Sequence, residues 1–413
     1  MLFISCILSR PENIESGIVS QIIIEGNKKT KAFILLREIH HPSNRPVDKV
    51  IIEKDRNRLE NLGIFSFVSW ELIPTKSGTF ILKYKVQESL QGTPPTVFPI
   101  YNESKGWSLS ALWLFNNFQG RNQLLTLSGS VGGEDTYGIN FKDPWLFNDR
   151  ISFSINIKKN LYENRFLNCE VEYSSRKIGL GKWLSNEIKT EVSYAFESKN
   201  FNAEKEKIKY KYFNSFLNLK YDKRNIFWNP SEGVLFSSYF EYMVGHNPKN
   251  FQTLIWDQSL SYFVELNKSQ KKAVFALNGA LKKTFGYKSI FFQDYLGGSN
   301  SIRGWIIPDS KIYESEPFRF GHDYFQTSME FRYELVPKFI TPNGIESGLS
   351  IVLFTDAGFI AKSGYSKHIL FGSGFGIRIP FPILGVLRLD YGLGILNYKL
   401  KYGTFHFGIG HKF

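Results

Sequence analysis

Ile151–Lys158 reads Ile-Ser-Phe-Ser-Ile-Asn-Ile-Lys. Ile151, Phe153, Ile155 and Ile157 share one face of an extended chain, and Ser152, Ser154, Asn156 and Lys158 share the other, because successive strand side chains point to opposite sides. Phe325–Leu335 repeats the scheme: Phe325, Met329, Phe331, Tyr333 and Leu335 alternate with Gln326, Ser328, Glu330, Arg332 and Glu334. Outward from these two stretches, from Pro95 to Phe413, the text is a series of short alternating runs parted by turn residues. It predicts sixteen strands, at 95–102, 106–116, 120–131, 134–143, 149–159, 165–175, 187–197, 207–220, 233–244, 252–266, 271–285, 324–335, 348–357, 369–379, 384–394 and 403–412. A soluble sandwich would also alternate. The hidden face decides, because it carries Glu330, Arg332, Arg378, Arg388 and Asp390; a dry core could not hold them unpaired, whereas a watery lumen can. The expected fold over 95–413 is therefore a 16-stranded antiparallel transmembrane β-barrel, an even strand number suiting two ends that meet. The longest connection, 286–324, becomes the sixth extracellular loop.

Composition agrees with this class. Aromatics make up 16% of the 413 residues (38 Phe, 21 Tyr, 8 Trp), beside 34 Gly and 3 Met, yet mean hydropathy is −0.22. No apolar run reaches the roughly 18 residues of a spanning helix, while spanning strands need only about ten. The net charge of +13 is scattered over strands and turns without a patch, so nucleic acid is not an expected partner. Cys6 and Cys169 predict no disulfide. The seven histidines show no ligand spacing, and no nucleophile elbow, phosphate loop or zinc-protease motif occurs, so no metal, cofactor or enzymatic activity is expected.

Residues 1–17 begin with the apolar Met1–Ser9 and are read as a short or truncated export signal and leader. Residues 18–90 form a different unit. Val19–Glu25 is a strand closed by Gly26-Asn27, Thr30–Ile39 carries a helical apolar face, and a second helix is expected from Pro46 to Leu62, ended by Gly63. Ile64–Ile73 and Thr79–Glu88 alternate as strands around a turn at Lys76-Ser77-Gly78. The order β-α-α-β-β makes a small α+β domain with its helices on one face of the sheet.

That order, with Ile24-Glu25-Gly26-Asn27-Lys28-Lys29-Thr30 and Leu59-Glu60-Asn61-Leu62-Gly63-Ile64-Phe65, resembles a POTRA domain. Four phrases in the barrel extend the likeness. Leu296-Gly297-Gly298-Ser299-Asn300-Ser301-Ile302-Arg303-Gly304-Trp305 is similar to a loop-six signature, and Phe354-Thr355-Asp356-Ala357-Gly358 to the strand motif that receives it. Tyr221-Asp222-Lys223-Arg224-Asn225 with Asn229-Pro230-Ser231-Glu232-Gly233 matches the turn before the ninth strand, and Phe141-Lys142-Asp143-Pro144-Trp145-Leu146-Phe147 the turn after the fourth. The chain thus resembles the BamA/TamA-like outer-membrane assembly factors, a bacterial surface-antigen barrel with one POTRA domain. Trp305 departs from the Tyr or Phe common in the family but keeps an aromatic anchor.

The resemblance implies an outer-membrane protein with its POTRA domain in the periplasm, inserting client barrels. Its implied partners are membrane lipids, unfolded β-barrel clients and periplasmic chaperones or accessory lipoproteins. It also implies that Arg303 and Gly304, at the loop-six tip, enter the lumen. Asp356 shares inward parity with Val352 and Phe354 and is the expected partner of Arg303. Pro95 and Pro99 lack N–H groups in the first strand, and Gly403, Gly408 and Gly410 pack little in the last, so this pair is expected to be the weakest seam. The resemblance implies the same lateral gate. Phe405, Phe407, Ile409 and Phe413 share a parity similar to a C-terminal assembly signal. The alternative function is a polypeptide secretion or conduction pore gated by loop six.

Overall fold

The computed structural model describes residues 17–89, 95–102, 105–146, 150–203, 207–267, 271–340, 346–362, 368–381 and 385–413. The leader at 1–16 with Cys6, and Phe147 in the fourth-turn phrase, lie outside the described residues. The chain divides into two compact units, residues 1–89 with 119–121 and the remainder.

In the first unit, the sheet runs Arg45–Pro46, Ile18–Glu25, Phe80–Glu88, Phe65–Pro74, the two middle strands being parallel. Helices Ala32–Leu36 and Lys49–Asn61 pack Ile34, Leu35, Ile52 and Leu59 against Val19, Leu82 and Tyr84 in one core. The second helix begins later than its proline suggested. Asp48 is its cap, its carboxylate accepting from the Val50 and Ile51 amides at 2.9 and 3.0 Å, so the helix starts at Lys49. Pro46 instead sits opposite Ile18 in a two-residue strand at the sheet margin, where its missing N–H costs nothing. Asp55, which the sequence reading passed over, is wholly buried. Its carboxylate accepts from the His40 and His41 amides at 3.0 Å each and from the Tyr84 hydroxyl at 3.1 Å, and Arg58 pairs with it.

The second unit is a nearly closed antiparallel barrel of sixteen strands, each paired with its neighbour in sequence from Thr96–Asn102 to Lys399–Ile409. Its faces are inverted relative to a soluble protein. Leu260, Tyr262, Phe325, Met329 and Phe331 point outward and are exposed, while Ser261, Asn214, Ser328, Glu330 and Arg332 point inward and are buried. Each large apolar side chain left in water would forgo about 1.5–3 kcal/mol, so the outer rows require lipid. No helix among the described residues is long and apolar enough to cross a membrane; the strands do so.

Several strands run longer than alternation indicated. The sixth spans Cys169–Trp183 rather than 165–175, and its added length carries Gly179 and Gly181 on the lumen face. A Cβ on Gly179 would come within 2.7 Å of both the Ser154 and Ser193 hydroxyls, so the glycines make room for a polar inner layer while Ile178 and Leu180 continue the outer row.

Candidate functional site

Loop six is built, not loose. Its first part forms a short helical turn, Ile290–Phe292, whose Phe291 and Phe292 pack on Phe201, Tyr210 and Phe251 inside the barrel. Asp309 caps the helix Ser310–Ser315 by accepting from the Ile312 amide at 2.9 Å. Arg319, buried, donates to the carbonyls of Leu296 at 3.0 Å and Ile306 at 2.5 Å and to Glu316 at 2.9 Å. One guanidinium thus stitches three loop segments, a role sequence spacing did not reveal.

The tip is a turn closed by the Gly298 amide donating to the Trp305 carbonyl at 2.8 Å. Arg303 and Asp356 meet. The Arg303 Nε and Nη2 groups donate to the two carboxylate oxygens at 2.8 and 2.9 Å, and the Arg303 backbone amide adds a third bond at 2.9 Å. Nη1 reaches Glu330 at 2.6 Å and Asp390 at 3.2 Å, and the guanidinium lies 3.7 Å from the centre of the Phe354 ring. Both partners are fully buried, a setting in which a bidentate charge-assisted pair is strong and a broken one costly. Trp305 is buried with its Nε1 donating to the Phe371 carbonyl at 2.7 Å.

The receiving wall is a glycine surface in which Gly372, Gly392 and Gly394 join the expected Gly304 and Gly358. Gly304 has φ +88°, a left-handed value, and a Cβ there would lie 2.5 Å from the Leu393 carbonyl carbon. Opposite it, a Cβ on Gly372 would lie 1.7 Å from the Arg303 carbonyl oxygen, and on Gly392 or Gly394 2.6 Å from the Gly304 backbone. Gly358 takes the Ile302 side chain in the same way, at 3.0 Å. The Gly304 amide donates to His406 Nε2 at 2.8 Å, which sets the ring proton on Nδ1 and joins the tip to the last strand. Loop six therefore touches Glu330, Asp356, Phe371, Asp390 and His406, one residue on each of the last five strands.

At the barrel's two ends, no ladder joins Thr96–Asn102 to Lys399–Ile409 among the described residues. The first strand is only 7 residues long. Pro99 stands within it opposite Leu109, whereas Pro95 precedes it. A cavity of 480 Å³ is lined by Ile100, Tyr101 and Asn102 on one side and Phe407, Gly408 and Ile409 on the other, with loop six between. The glycines of the last strand differ from expectation. Gly403 lies in the ladder opposite Leu393, but a Cβ on Gly408 would come within 2.6 Å of the Arg388 guanidinium, so Gly408 makes space for that side chain. Gly410, at φ +83°, falls beyond the strand's end.

That end also changes the reading of the C-terminus. Phe405, Phe407 and Ile409 are outward and exposed, but Phe413 does not continue their row. Past Gly410 the chain turns inward: Lys412 pairs with Asp356 at 3.0 Å, and the Phe413 ring lies 6.2 Å from that of the inward Phe263.

Fold and site together define an outer-membrane barrel whose lumen is occupied by its own sixth loop. Comparison with known families makes the assignment specific: the Omp85 superfamily domain matches residues 117–413 and the surface antigen variable number repeat, POTRA, matches residues 17–89. The chain belongs to the Omp85 superfamily. Its barrel lies in the bacterial outer membrane and its POTRA domain in the periplasm. The outer membrane protein assembly factor BamA of Nitratidesulfovibrio vulgaris is 23% identical over 426 residues, covering 96% of this chain and 51% of that protein, so the chain spans about half its relative's length. Among solved structures, BamA from Haemophilus ducreyi lacking POTRA domains 1–3 aligns at a TM-score of 0.57 with 17% identity, over 94% of this chain and 84% of that one. CdiB from Escherichia coli aligns at 0.59 with 14% identity, over 96% and 76%. At such identities the structural likeness establishes the shared fold.

Proposed function

We propose that this protein inserts β-barrel clients into the outer membrane, using the seam between its first and last strands as the template. The observation that carries this is that, among the described residues, no ladder joins Thr96–Asn102 to Lys399–Ile409. Backbone N–H and C=O groups along a strand edge find no partner in hydrocarbon, so an incoming strand that forms a ladder with either of these two strands is stabilised as it enters the bilayer. Pro99 weakens any direct closure by removing a donor. The likeness to BamA supports the same activity.

The POTRA sheet offers a second edge. Phe65–Pro74 pairs on one side only, with Phe67 exposed, and strand addition there would hold an extended client through main-chain bonds. Unfolded barrel proteins are then the clients, and periplasmic chaperones or accessory lipoproteins the helpers.

Paired cysteines at Tyr101 and Ile409, both on the outer face and both lining the cavity between the two strands, in a background with Cys6 and Cys169 replaced, test the seam in proteoliposomes with a radiolabelled test barrel. Cross-linking should abolish insertion, and reduction should restore it. Full insertion by the cross-linked protein refutes a lateral gate. The second reading is a secretion pore gated by loop six, favoured by the seating of that loop in the lumen; client passage through the lumen without insertion would establish it.

A further inference from the structure

Beneath the loop-six tip, the barrel interior carries more positive than negative charge. Arg303, Arg332, Arg378, Arg388 and Lys412 are ion-paired with Glu330, Asp356 and Asp390. Five cations against three carboxylates leave an excess of two, and a carboxylate on Phe413 would still leave one. Arg332, Arg378 and Arg388 are at most 4% exposed, and a guanidinium cannot shed its proton to relieve the imbalance.

The carboxylates are already engaged. Asp356 receives three bonds from Arg303 and pairs with Lys412, Glu330 serves Arg303 and Arg332, and Asp390 serves Arg303 and Arg378. Among the described residues seven buried nitrogens have no hydrogen-bond partner: Nη1 of Arg332, Nε and Nη2 of Arg378, Nε and Nη1 of Arg388, and both ring nitrogens of His411, one of which donates. Arg378 Nη2 approaches Glu330 only to 3.5 Å and Arg388 Nε approaches Asp390 only to 3.7 Å. These groups lie together. Arg378 stands directly opposite Arg388 in the ladder, Arg332 and Arg378 flank the same Glu330 carboxylate, and His411 adjoins Lys412, which pairs with Asp356 in the same cluster. Like charges directly opposite in a sheet destabilise it, and a buried donor without an acceptor forfeits the hydrogen bond it had in water.

We propose that Arg332, Arg378, Arg388 and His411 form a binding site for a small tetrahedral oxyanion, inorganic phosphate or sulfate, enclosed at the periplasmic end of the lumen. An oxyanion of one or two negative charges offsets the excess, and its several oxygens match planar guanidinium forks that a chloride ion would meet at one point only. The tail at 411–413 covers the site, the Phe413 carbonyl oxygen lying 3.5 Å from Arg332 Nη2. The Asn300 side chain, accepting from Arg388 Nη2 at 2.8 Å, ties the same cluster to loop six, so a bound anion would brace the plug.

The test uses the full chain purified in a neutral detergent free of phospholipid. Equilibrium dialysis against labelled inorganic phosphate should give one anion per chain, displaced by sulfate. Phosphate at a hundred times its Kd should raise the melting temperature by about 5 °C over sodium chloride of equal ionic strength. Arg388→Gln should remove that increment, read as the difference with and without phosphate within the variant, so a lower baseline does not blur it. Stoichiometric phosphate with a chloride-insensitive shift supports the site. No retained phosphate, an equal shift in chloride, or an increment that survives Arg388→Gln overturns it. Protection by phosphatidylglycerol micelles alone, with none from free phosphate, would assign the effect to lipid headgroups and likewise overturn it.

Discussion

Replacing Gly372 by alanine separates the docking of loop six from its charges. The new methyl would sit 1.7 Å from the Arg303 carbonyl oxygen, whereas non-bonded carbon contacts settle near roughly 3.5 Å. The tip must therefore withdraw by more than about 1.5 Å, which carries Arg303 out of reach of Asp356, now 2.8 Å away at its nearest. Breaking a buried ion pair costs about 3–5 kcal/mol, so the docked population should fall by more than roughly a hundredfold. In planar bilayers the variant should show long open events that the parent lacks. Trypsin should also cut at Lys311, in the helix of the loop, faster than in the parent. An alanine variant with parental heat-modifiable migration, parental conductance and parental tryptic pattern would refute the argument that backbone contact on glycines seats the plug.

Other substitutions probe separate parts. Arg303→Lys keeps the charge but loses the fork that bonds both Asp356 oxygens, so conductance should rise to an intermediate level between the parent and Gly372→Ala. Asp55→Ala strands two backbone amides and the Tyr84 hydroxyl inside the POTRA core. Hydrogen exchange of that domain in the intact chain should show a loss of roughly 3 kcal/mol, with the barrel unchanged. Asp48→Ala removes the cap of the helix Lys49–Asn61 and should cost about 1 kcal/mol in the same measurement.

Sequence pattern carried most of the architecture because lipid and lumen impose opposite chemistry on alternate residues. Ile151–Lys158 and Phe325–Leu335 announced their faces, and the sixteen strands followed from the same rule. Strand ends were less legible where glycine stood inside a strand: Gly179 and Gly181 look like turns until the neighbouring serines show what they accommodate. Arg303 and Asp356 were legible through parity and resemblance. The rest of the site was not, since Gly372, Gly392 and Gly394 become a docking surface only when two strands lie side by side. Arg319 and His406 likewise acquire partners from distant segments that no local spacing marks. Phe413 failed for a related reason: its parity extends a strand that Gly410, at φ +83°, has already ended.

Among the described residues the sixteen-stranded ladder is continuous except between Thr96–Asn102 and Lys399–Ile409, and backbone amide exchange in lipid nanodiscs reads that seam residue by residue. The amides of Thr96–Asn102 and Lys399–Ile409 that face the seam should exchange orders of magnitude faster than those of interior strands such as Ile188–Asn202. Protection of both edge strands equal to the interior would mean the barrel is fully zipped, and would contradict the proposed template.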